Sequence, residues 1–130
     1  MKRILLILAL TFTAIGFAQA PEKMSYQAII RDADDNLLSN KPIGLQISIL
    51  QNTATGKTVY LETHTPTTNI NGLITIEIGT GSVVSGVFSQ IDWSSGNYFI
   101  KSETDPLGGT DYSISGTSQL LSVPYALHAK

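Results

Sequence analysis

Apolar residues recur at every second position over several short stretches of this chain. In "IGLQISIL", Ile43, Leu45, Ile47 and Ile49 fall on one side, with Gly44, Gln46 and Ser48 on the other. Side chains alternate between two faces only in extended backbone, so the stretch predicts a strand with one buried face. "GLITIEIG" repeats the pattern, Ile74, Ile76 and Ile78 lying inward against Thr75 and Glu77. "MSYQAIIRD" sets Tyr26, Ala28 and Ile30 against Gln27 and Arg31, with Ile29 as the exception. "TVYLETH" divides into Val59 and Leu61 on one face and Tyr60, Glu62 and His64 on the other, with Glu62 and His64 expected to point outward. "NYFIKSET" sets Tyr98 and Ile100 against Phe99, Lys101 and Glu103, and "DYSIS" and "SQLLSV" predict two shorter strands near the end. β-Branched residues dominate these runs, as a pleated, half-buried surface favours.

Turn chemistry separates the strands. "DADDN", "NING", "SSGN" and "PLGG" are rich in residues that accept positive φ or form local side-chain turns. About seven short strands with such punctuation, and no sustained helical period, predict an all-β chain: a single antiparallel β-sandwich, with a small barrel as the alternative, rather than a βαβ fold.

The first residues change the picture of the compartment. "MKRILLILALTFTAIGFAQA" has Lys2 and Arg3 at its head, an apolar run, and then small residues at Gly16, Ala18 and Ala20. That order predicts a cleavable secretory signal peptide over residues 1–18, cut after Ala18, since a cut after Ala20 would put Pro21 directly behind it. Cleavage leaves 112 of the 130 residues, enough for one domain with a single core. Losing Lys2 and Arg3 from eight basic residues leaves six against ten acidic ones, a net charge near −4. Nucleic acid and anionic membrane surfaces call for clustered Lys and Arg, so neither is an expected partner. The chain has no cysteine, so neither a disulfide framework nor a lipidated cysteine is expected.

Possible chemistry is sparse. Asp32, Asp34 and Asn36 match the first three ligand positions of a calcium loop. Leu37 then stands where the sharp-turn glycine belongs and Ile43 where the bidentate glutamate belongs, so a hairpin turn is expected, with a weak calcium site as the alternative. "TGKT" at 55–58 resembles the end of a phosphate loop, but Gln51 replaces its first glycine and a strand follows instead of a helix. Hydrolysis needs a nucleophile beside a base. The two histidines, His64 and His128, lie far apart, and no G-x-S-x-G elbow occurs, so no catalytic residue is expected, nor a cofactor. Trp93, Tyr98, Phe88, Phe99, Tyr60 and Tyr112 are read mainly as core, with Trp93 and Tyr98 as the candidates for stacking on a ligand.

"MSYQAIIRDADDNLLSNKPIGLQISIL", "ETHTPTTNINGLITIEIGTG", "FSQIDWSSGNYFIKSETDPLGGTDY" and "GTSQLLSVPYALHAK" together resemble a module near the N-terminus of many exported Bacteroidota proteins. The resemblance implies a position directly after the signal peptide, with longer, often collagen-like or tail-fibre-like regions behind it. It carries no catalytic or ligand residues. "NING" before one strand and "GNY" opening another are similar to prealbumin-like and immunoglobulin-like sandwiches. Residues 19–121 are thus expected to be the sandwich, and residues 122–130, "SVPYALHAK", an exit segment or linker towards further chain. The expected function is a non-enzymatic structural or interaction module, at the cell surface, in the periplasm or outside the cell. Its partners would be other domains of a longer chain or surface components. A carbohydrate- or protein-binding adhesin domain is the alternative.

Overall fold

Seven strands form in the order the alternation predicts, with one addition and one change. A computed structural model describes residues 23–121. The signal segment 1–18 and the exit segment 122–130 lie outside the described residues. The strands are β1 (Met24–Ile29), β2 (Gly44–Gln51), β3 (Lys57–His64), β4 (Leu73–Ile78), β5 (Ser82–Ser85), β6 (Tyr98–Asp105) and β7 (Ile114–Gln119). A single 3-10 turn, Phe88–Gln90, breaks the connection between β5 and β6. All pairings are antiparallel, in a five-stranded sheet of order β5-β3-β2-β6-β7 and a two-stranded ribbon of β1 and β4. The protein is an all-β sandwich.

β2 sits at the centre of the larger sheet because its neighbours cover both of its edges. It pairs with β3 from Leu45 opposite His64 to Gln51 opposite Lys57, and with β6 from Gly44 opposite Asp105 to Gln51 opposite Tyr98. Leu45, Ile47 and Ile49 are fully buried on its inner face. The ribbon lays Ile74, Ile76 and Ile78 of β4 over this face, and Met24, Tyr26 and Ala28 of β1 join the same core half-buried. Each such aliphatic side chain stabilises the fold by roughly 1.5–3 kcal/mol.

The ribbon does not roof the whole sheet. Beyond it, the segment 86–97 supplies the second layer with side chains instead of strands. Tyr60, Phe88, Trp93 and Tyr98 make a chain of edge-on contacts, with ring centroids 5.2, 5.9 and 5.1 Å apart. Such T-shaped geometry puts a positive ring edge against a negative ring face.

Two details depart from the sequence expectation. "SVVS" forms the edge strand β5, which periodicity did not reveal, and the two expected short strands near the end are one, β7. The third departure concerns which face of β3 looks inward, and it shapes the site.

Candidate functional site

The acidic turn after β1 is held together by its own first carboxylate. Asp32 Oδ1 accepts the Asp34 and Asn36 amides, each at 2.9 Å, while its Oδ2 accepts the Asn36 side chain at 3.5 Å. Asp35 takes the left-handed conformation at φ 67°, and an Arg31–Leu37 bridge closes the loop. The Asn36 amide above all holds the Asp32 carboxyl below its usual range. The geometry is that of a side-chain-mediated turn, with the Asp32 oxygens directed at the turn's own donors. Among the described residues no cluster of three or more His, Asp or Glu side chains could hold a metal ion.

Trp93 and Tyr98 are drawn into the core, exposed by 8 % and 3 %. The Tyr98 hydroxyl donates to the Asp92 carbonyl at 2.6 Å and accepts from Gln51 Nε2 at 3.2 Å. Burial, and then the nearby Asp92 carboxylate, push this phenol above its ordinary value. Asp92 in turn accepts the Ser94 and Ser95 hydroxyls at 2.6 and 2.9 Å, which fixes the loop carrying Trp93. The Trp93 and Tyr98 rings thus pack within the core, edge-on to one another.

The expectation that Glu62 and His64 point outward is overturned. Tyr60, Glu62 and His64 stand opposite Ile49, Ile47 and Leu45, on the inner face of the sheet. Glu62 is completely buried. Its Oε1 accepts the Tyr60 hydroxyl at 2.6 Å, the Gly79 amide at 2.9 Å and the Gly81 amide at 3.4 Å. His64 Nε2 meets Oε2. These bonds are what make an inward glutamate tolerable, since a buried charge without partners costs several kcal/mol. Alternation showed that the three residues share a face; it could not show that the β4–β5 turn would aim its amides there. Gly81 is required at that point, because a Cβ would come within 2.5 Å of the Thr63 carbonyl oxygen and 2.6 Å of His64 Nε2. Burial first, then Glu62, raises the Tyr60 phenol well above its ordinary value.

The carboxylate thus pins the turn from which β5 departs. Among the described residues β5 pairs only with β3, from Thr63 opposite Ser82 to Leu61 opposite Ser85, and none of them pairs with its other edge. Val83, Val84 and Val87 are 56 %, 59 % and 52 % exposed. Residues 81–91 contain no charged side chain and no proline. Natural edge strands are normally guarded by just those residues, which prevent another chain from pairing. Two clefts flank Val87, of about 330 Å³ beside Val59, Ile91 and Tyr98, and of about 310 Å³ beside Val83 and Phe88, with Tyr60 in its lining. The sequence signal was present in "GSVVSGV", an uncharged β-branched run between glycines, but it is too short for its period to be read.

No helix among the described residues is long and apolar enough to cross a membrane. Residues 25–118 match the family described as Domain of unknown function (DUF8740). No curated protein and no solved structure matches the chain.

Proposed function

The chain belongs to the family described as a domain of unknown function, DUF8740, and we propose that it is a non-catalytic, exported interaction module. It opens a larger cell-surface or fibre-like protein and joins neighbouring regions by accepting an extended strand at β5. The observation that carries this reading is the unguarded apolar edge, with Val83, Val84 and Val87 exposed and no charge between residues 81 and 91. A strand added there gains main-chain hydrogen bonds, and its alternate side chains reach the clefts on either side of Val87. The non-catalytic reading draws on Glu62 and His64, the one carboxylate–imidazole pair among the described residues, whose facing atoms are engaged with each other and with the β4–β5 turn. Export is supported by the charged head, apolar run and small residues of the first twenty positions, and by the resemblance to modules of exported Bacteroidota proteins.

Selection of displayed random peptides against the processed chain tests the edge. Uncharged sequences with β-branched residues at alternate positions are expected, and Val84→Lys, at a solvent-facing position, should abolish their binding. Enrichment of charged or unpatterned peptides, or binding that survives Val84→Lys in a folded variant, would overturn the strand-addition reading. Export is tested separately by N-terminal sequencing of the secreted product, which should begin at Gln19. The adhesin alternative draws on a different face of the molecule.

A further inference from the structure

The five-stranded sheet turns its second face to solvent, and part of that face is not flat. Gln46, Ser48 and Leu50 of β2 point away from the core, yet Ser48 is only 5 % exposed and Leu50 only 4 %. The β2–β3 turn supplies the cover: Ala54, Thr55 and Gly56 wall a cleft of about 400 Å³ whose lining includes Ser48, Leu50 and Leu61. The turn is shaped by Asn52, at φ 78°, and by hydrogen bonds from the Thr53 and Gly56 amides to the Gln51 and Thr53 carbonyls.

Polar groups converge on the same cleft from β2 and β6. Gln46 Nε2 donates to Glu103 Oε1 at 2.8 Å, and Lys101 Nζ lies 3.6 Å from Glu103 Oε2. This chain orients the Gln46 amide and leaves its carbonyl oxygen, the remaining Glu103 lone pairs and the Lys101 hydrogens available. The Ser48 hydroxyl is the telling group. It is more than nine-tenths buried, lines the cleft and makes no hydrogen bond among the described residues. A buried hydroxyl without a partner is destabilising unless something else occupies its donor and acceptor sites.

We propose that this cleft is a binding site for a neutral saccharide of one or two units. The ligand chemistry follows from the lining. Lys101 and Glu103 offset one another, which favours a neutral ligand over an anion or a cation. Gln46, Lys101 and Glu103 put both donors and acceptors in the lining, as sugar hydroxyls demand. Leu50 and Leu61 offer an apolar floor for the C–H face of a pyranose. The volume lies at the lower end of the range for small-molecule sites, roughly 300–1,000 Å³. The site is independent of the β5 edge and differs from Trp93 and Tyr98, whose rings are inside.

The test is titration of the isotope-labelled processed chain with methyl glycosides of glucose, galactose, mannose and xylose and with their β-linked disaccharides, followed by amide chemical shifts. At least one sugar should give saturable shifts at Ser48, Leu50, Leu61 and Lys101. Ser48→Ala should weaken binding about tenfold, the equivalent of one neutral hydrogen bond of ~1.4 kcal/mol, while leaving the melting temperature unchanged or higher. Glu103→Gln should weaken it further, and Val84→Lys should leave it intact. Absence of saturable shifts with every sugar, or binding unchanged in both Ser48→Ala and Glu103→Gln, would overturn the proposal and assign the Ser48 hydroxyl to water alone.

Discussion

Glu62 organises three donors and an imidazole around one buried carboxylate, and its removal should be felt far more than that of any exposed glutamate. Glu62→Ala is expected to cost on the order of 3–5 kcal/mol, because His64 and the Gly79 and Gly81 amides would be left without a partner. Glu77→Ala, which loses only a solvent-facing pair with Lys23, should stay within about 1 kcal/mol. Urea melts of the two variants make the comparison. Titration adds a second prediction with two limbs. The Tyr60 phenol is raised in the fold, so its contribution is complete below the ordinary tyrosine value and fades as pH rises through the folded one; stability should fall above roughly pH 10. Asp105 is held low by the Leu107 and Asp111 amides, so its contribution is complete above the ordinary carboxylate range and is lost as pH falls below it. Asp105→Asn should flatten the acid limb and Tyr60→Phe the alkaline limb, as read by melting temperature against pH. Of these residues, the sequence made the Asp32 turn readable because its bonds are local. Glu62 was misplaced because its partners come from Gly79 and Gly81, seventeen and more positions away.

At the level of strands, the alternation in β2 and β4 was legible because the inner face of each is aliphatic and the other mostly polar, and in β6 because buried Tyr98 and Ile100 alternate with Phe99, Lys101 and Glu103. β3 was half legible, since both of its faces carry mixed residues and the choice between them depends on what covers the sheet. β5 escaped because its four residues are all exposed, so no buried set marks its period. The structure also sharpens the comparison between the faces of β2. Ile47→Asp places a charge at a fully buried position and should unfold the domain. Gln46→Glu would look harmless from alternation alone, but it replaces the donor to Glu103 with a second carboxylate directly across the strand pair. A loss of about 0.2–1 kcal/mol is expected, growing at low salt. Chemical denaturation at two ionic strengths checks both; equal effects at the two positions would contradict the register.

For the molecule as a whole, the sandwich class followed from strand number and turn chemistry, whereas the division into five strands and two did not. Pairing between distant strands is decided by which surfaces fit, and nothing in a single strand's period records its neighbours. The ring contacts of Phe88 and Trp93 illustrate this, since they complete a layer that strands leave unfinished. One pairing has a kinetic consequence. β2 meets β6 only when Gln51 finds Tyr98 and Gly44 finds Asp105, so some fifty intervening residues must be looped before the centre of the sheet exists. Closure over that distance is entropically slow, and domains dominated by such pairings typically acquire their native state in milliseconds to seconds. Refolding by stopped-flow Trp93 fluorescence should fall in that window; a microsecond phase carrying the full amplitude would contradict it. On the proposed export route, a chain whose central ladder zips this late would still be extended enough to thread a translocation pore.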